Sequence, residues 1–157
     1  QQILIYRPLV PIHSLRRLHI VVPQKGEFDP GFRHWCRRMS LLSEQTGCRL
    51  SVYGAEETLL AVRKFWEESK LTTAAEYTAF SAWNDFLPLA AKVRSDHMVI
   101  FIMARRGMPS FHRYLEDLPH QLERYFSARS WMMIVPARSQ GTQKGIEGRS
   151  ALTLNTQ

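Results

Sequence analysis

The chain has 157 residues, 45% hydrophobic and 22% charged, with a formal charge of +7. That composition supports one domain with a real core and excludes wholesale disorder. The positive charge comes in separate pairs, in "LRRLH" (15–19), "WCRRMS" (35–40) and "ARRG" (104–107), without the interleaved aromatics of a single-strand stacking groove, so no nucleic-acid partner is expected.

The chain opens "QQILIYRPLVPIHSLRR". No charged region precedes its short apolar stretch, so it does not read as a signal peptide. No segment reaches the about 18 apolar residues that span a bilayer. Residues 1–16, marked by Pro8 and Pro11, are expected to be an extended linker from something that preceded them.

"LHIVVP" (18–23) is β-branched and nearly all apolar, the pattern of a strand buried on both faces. Pro23 ends it. In "QKGEFDPGFRHWCRRMSLLSEQTG", Asp29 is expected as the N-cap and Pro30 at the first helical position. Phe32, Trp35, Cys36, Met39 and Leu42 recur at helical spacing, and Gly47 stops the helix.

"CRLSVYG" (48–54) predicts the second strand, and 55–70 a second helix with Leu59, Leu60, Val62, Phe65 and Trp66 inward. Glu56 and Glu57 complement that helix's N-terminus. "AEYTAF" (75–80) is a weaker strand. A third helix is expected over 82–94, with Trp83, Phe86, Leu87, Ala90 and Val93 inward and Pro88 in its first turn or at a kink.

"HMVIFIMA" (97–104) predicts a central strand, 118–128 a helix, and "WMMIVPA" (131–137) the fifth strand. Strands alternating with helices imply right-handed crossovers and a parallel sheet covered on both faces. The polar tail, 138–157, is expected to be mobile unless a partner orders it, and its "IEGR" stays out of the fold argument.

Ligands in such a sheet sit beyond the carboxyl ends of the strands, where the winding reverses. That crevice is lined by 23–30 and 104–113, so Pro23, Gln24, Arg105, Arg106, Gly107, Met108 and Ser110 are its candidate binding residues. A phosphate cradle needs several backbone N–H groups converging on one point. Gly107 stands alone there, Pro109 has no N–H, and no phosphate-loop or dinucleotide motif occurs. Arg105 and Arg106 are adjacent in an extended chain, so at most one faces the crevice.

No catalytic constellation is legible, and no enzyme is expected. Ser110 and Cys36 have no base placed beside them, and adjacent pairs such as Glu116-Asp117 do not face each other on a helix. Cys36 and Cys48 lack zinc spacing, and the six histidines stand singly, so no metal site is expected.

The order of elements resembles the universal stress protein family, from "RRLHIVVP" through "CRLSVYG" and "DHMVIFIMARRG" to "SWMMIVP". In that family the fourth strand starts with Asp, runs apolar and ends G-x-R-G. Asp96 and "MARRG" (103–107) take those places. The resemblance implies a flavodoxin/Rossmann-like three-layer sandwich over 17–137, with a five-stranded parallel sheet in the order 3-2-1-4-5. Nucleotide-binding members carry an acidic residue where this chain has Gln24. Of their glycine pattern only Gly107 remains, with Ser110 and His120-Gln121 at the later positions. The ATP site therefore looks eroded: no cofactor is implied beyond weak adenine nucleotide binding.

A narrower resemblance is to the stress-protein-like cytosolic domains at the C-terminus of bacterial monovalent cation (sodium)/proton antiporters. It is carried by "VVPQKGEFDPGFRHWCRRMSLLSEQTGCRLSVYG", "WNDFL" and "MARRGMPSFHRYLEDLPHQLERYFS". It implies a non-catalytic regulatory or assembly domain on the cytoplasmic side of the inner membrane. Its partner would be the membrane domain of the same polypeptide. Family members also dimerise through the last strand, so a homodimer through the apolar "SWMMIVPA" edge is expected, with Met133 in the interface.

Overall fold

A computed structural model describes residues 2–71 and 74–137. The tail at 138–157 lies outside them. The strands are β1 (Ile3–Arg7), β2 (Arg17–Val21), β3 (Arg49–Gly54), β4 (Ala75–Ala79), β5 (His97–Ile102) and β6 (Ser130–Val135). The helices are α1 (Phe32–Thr46), α2 (Glu56–Glu68) and α3 (Leu118–Tyr125). The protein is α/β, with one mostly parallel sheet in the order β1-β6-β5-β2-β3-β4.

The sheet has six strands, not the five expected. The extra strand comes from within residues 1–16, which were expected as a linker. β1 runs antiparallel to β6, with Ile5 opposite Met133, and the Leu9 N–H donates to the Ser130 hydroxyl at 2.9 Å just beyond the pairing. The other neighbours are all parallel, and β2 to β6 alone keep the relative order 3-2-1-4-5. β6 is therefore no edge. Met133, expected in a dimer interface, is 7% exposed and belongs to the core.

Two apolar layers flank the sheet. On one face Leu18, Ile20, Leu50, Val52 and Ile100 meet the α1–α2 stripe of Trp35, Cys36, Met39, Val62 and Trp66. Each fully buried large side chain contributes about 1.5–3 kcal/mol of transfer free energy. Leu60, expected inward, is 60% exposed, because it lies on the side of α2 away from the buried Leu59 and Val62. Gly47 stops α1 with φ +69°, and its N–H bonds the Ser43 carbonyl.

The opposite face carries Val21, Val99, Phe101 and Met133 beneath Trp83, Phe86, Leu118, Leu122 and Phe126. Two aromatic contacts there, Phe86–Phe101 and Phe101–Phe126, are edge-to-face. The third expected helix is corrected to a 3-10 segment, Trp83–Ala91. Pro88 inside it removes one N–H, and its ring crowds the carbonyl four residues back. Trp83, Phe86 and Val93 nonetheless bury as expected, and Leu89 joins them.

Candidate functional site

The loops after β2 and β5 meet at the carboxyl end of the sheet, as expected, and a carboxylate holds them together. Asp29 Oδ1 accepts the Ser110 backbone N–H at 3.1 Å, and Oδ2 accepts the Ser110 hydroxyl. Asp29 is 8% exposed and Ser110 is fully buried. Burial pushes the Asp29 carboxyl above its ordinary range, and the two Ser110 hydrogen bonds oppose that rise. This corrects the expected role of Asp29. α1 starts at Phe32 with Gly31 as its N-cap and no side-chain cap, because the Asp29 carboxylate is turned across the crevice instead.

The backbone explains the close approach. Lys25 turns the chain after β2 with φ +66°, and its N–H reaches Thr58 Oγ1 at 3.3 Å. The Thr58 hydroxyl donates to Glu27 at 2.8 Å, which ties the loop to α2. Gly31 then passes the end of β6. A Cβ there would lie 2.5 Å from the Pro136 Cβ, so no larger residue fits without a shift. Gly107 turns the chain after β5 with φ +87°, the conformation that favours glycine.

Pro23, Met108, Arg105 and Arg106 have internal contacts. Pro23 is buried and its carbonyl accepts the Gly26 N–H at 3.0 Å, while Gln24 is exposed. Arg105 Nε donates to the Pro136 carbonyl at 3.0 Å. Arg106 points the other way and pairs with Glu116 through Nε, at 3.0 Å, and Nη2. The cavity between Asp29, Gly31, Arg105, Met108 and Pro136 measures about 10 Å³, room for about one water molecule. Beside it an open groove of about 420 Å³ runs past Met103, Arg106, Phe111, Leu115 and Val135.

Ser110 against Asp29 has the composition of a nucleophile and its base. Full burial of Ser110 keeps any substrate from reaching the hydroxyl, so the contact works as a tie. Cys36 and Cys48 are free and buried, and burial pushes the Cys36 thiol up, away from reactivity.

A second polar cluster, not foreseen from the sequence, lies toward the amino ends of the strands. His19 on β2 is 4% exposed. Its Nδ1 lies 2.9 Å from the Tyr53 hydroxyl on β3, and its Nε2 lies 3.0 Å from His97 Nδ1 on β5. Arg17 Nη1 donates to Ser51 Oγ at 2.6 Å and pairs with Glu76 of β4 at 3.3 Å. Burial, then the neighbouring His97 and Arg17, lowers the His19 pKa to about 4. Polar residues at alternate positions of "RLHIVV" were the available signal; their partners depend on register across three strands.

Among the described residues no helix is long and apolar enough to cross a membrane, and no group of three or more His, Cys, Asp or Glu could hold a metal ion. No known family model, curated protein or solved structure matches the chain.

Proposed function

We propose that the chain is a non-catalytic regulatory or assembly domain of a cation/proton antiporter, working on the cytoplasmic side of the membrane through docking or self-association. The antiporter assignment is supported by the sequence resemblance. The mode of action is supported by one observation: the Asp29 carboxylate takes the Ser110 N–H and hydroxyl that a phosphate would need. A bound anion would have to displace a carboxylate already seated. In this reading the surface for self-association is β1, where Ile3, Leu4 and Ile5 are 42–46% exposed. Leu4→Lys then converts a dimer to monomer in analytical ultracentrifugation. An unchanged mass removes β1 as the contact.

The alternative is a nucleotide- or small-anion-binding sensor, favoured by the open groove beside Arg105 and Arg106. A thermal-shift screen with ATP, ADP and AMP separates the two. The regulatory reading expects no rise of the midpoint at millimolar ligand. A rise that grows with concentration supports the sensor instead. The antiporter assignment itself is tested by the reading frame upstream of Gln1. Membrane-spanning helices encoded there support it, and a frame without them overturns it.

A further inference from the structure

The hydrogen-bond chain through His19 and His97 has a direction, and the geometry fixes it. The Arg94 backbone N–H donates to His97 Nδ1 at 3.2 Å, so Nδ1 is an acceptor. His19 Nε2, 3.0 Å from the same atom, must then carry the proton. Its Nδ1 is left to accept from the Tyr53 hydroxyl at 2.9 Å. Both imidazoles are neutral in this arrangement. His97 holds its remaining proton on Nε2, 3.6 Å from the Asp96 carboxylate.

One added proton cannot leave this chain unchanged. His97 is the better acceptor of it, because it is less buried than His19 and lies beside Asp96. Protonated, His97 presents an N–H at Nδ1 and accepts nothing there. The Arg94 amide loses its partner. The contact with His19 survives only if His19 Nε2 becomes the acceptor, which puts the His19 proton on Nδ1, aimed at the Tyr53 oxygen. The net change is one proton gained, with no bond between heavy atoms made or broken.

We propose that the His19–His97 pair is a proton-binding relay: one proton on His97 reverses the hydrogen-bond chain from Tyr53 and loosens the turn between Arg94 and His97. That turn is joined to the start of β2. The Asp96 carbonyl accepts the Arg16 N–H at 2.8 Å, and the Arg16 carbonyl accepts the Arg49 N–H at 3.1 Å. Loosening the turn therefore slackens the point where the segment from β1 enters the sheet.

The charged and titratable groups acting on the pair come from several elements. Arg17 on β2 and Arg94 in the turn oppose a second positive charge, and Asp96 favours the first. Tyr53 and Ser51 on β3 are polar neighbours, and Glu76 on β4 reaches the set through Arg17. Over the same face the Trp83–Ala91 segment and α3 contribute the apolar Trp83, Phe86, Leu118 and Leu122.

The test is a histidine NMR titration of the labelled protein from about pH 8 to about pH 4.5, reading the tautomer of each ring and the exchange protection of the Arg16 amide. The relay expects His19 to change from the Nε2–H to the Nδ1–H form as His97 becomes charged. With the same midpoint, the Arg16 amide loses about tenfold of its protection after correction for the intrinsic rate. His97→Gln keeps a side-chain acceptor but does not titrate, so there His19 holds the Nε2–H form throughout. Should that variant fail to fold, the wild-type titration decides alone. His19 keeping the Nε2–H tautomer while His97 charges, or taking the first proton itself, overturns the proposal. So does unchanged protection at Arg16.

Discussion

Asp29→Ala lowers the stability of the fold by about 3 kcal/mol, because two buried donors, the Ser110 N–H and hydroxyl, lose their acceptor at a cost of about 1–3 kcal/mol each. Alanine offers nothing in return: its methyl group accepts no hydrogen bond from either Ser110 donor. Asp29→Asn recovers most of the loss. Its carbonyl oxygen still accepts the Ser110 N–H, and its amide donates to the Ser110 oxygen. Urea denaturation at neutral pH measures both. An Asp29→Ala midpoint equal to that of the wild type would show that the two loops hold together without the carboxylate.

The same variant bears on function. Removing Asp29 frees the Ser110 donors where the loops after β2 and β5 converge. If the carboxylate stands where a phosphate would, Asp29→Ala gains a thermal shift with inorganic phosphate that the wild type lacks. The two effects have opposite signs, so loss of stability and gain of an anion site are separable in one titration.

The parallel sheet was legible because its strands carry their own signal. "LHIVV" and "MVIFI" are nearly all apolar, the pattern of a covered central strand. The helical stripe through Phe32, Trp35, Cys36 and Met39, and the glycine stop at Gly47, are equally local. β1 was missed because "ILIYR" is short and is followed by Pro8 and Pro11, so it reads as lead. Its strand character comes from β6, and that pairing joins the two ends of the described chain, Ile3 to Val135. The Trp83–Ala91 segment shows the reverse. Its apolar spacing placed the inward residues well enough, while Pro88 set a tighter helix than the spacing implied.

At the site, residue types were legible and partners were not. Asp29 before Pro30 has the form of an N-cap, and a tertiary contact with Ser110, 81 positions away, took its carboxylate instead. Two adjacent arginines were expected to diverge, and they do, toward Pro136 and Glu116. His19 and His97 are 78 positions apart, and each looked like an isolated histidine. Only the parallel register, which sets Arg17 opposite His97 and His19 opposite Ser51, brings the rings together.

The same cluster sets how stability depends on pH. His19 has a folded pKa of about 4 against an ordinary value of 6.5, so the native state resists a proton that the unfolded chain accepts. At about 1.4 kcal/mol per pH unit, that separation is worth about 3 kcal/mol. Its sign follows from the depressed pKa. The contribution is fully present above pH 6.5, falls as the unfolded chain takes up its proton, and is gone once the pH passes below about 4. His19→Gln removes the titrating group and keeps an amide able to donate to His97 and accept from Tyr53. The stability gap between wild type and His19→Gln therefore shifts against the wild type by about 3 kcal/mol between neutral pH and pH 4, read from urea midpoints at each pH. A gap that stays constant over that range would mean that His19 titrates as it does in the unfolded chain. The buried contacts with Tyr53 and His97 would then have no hold on its proton.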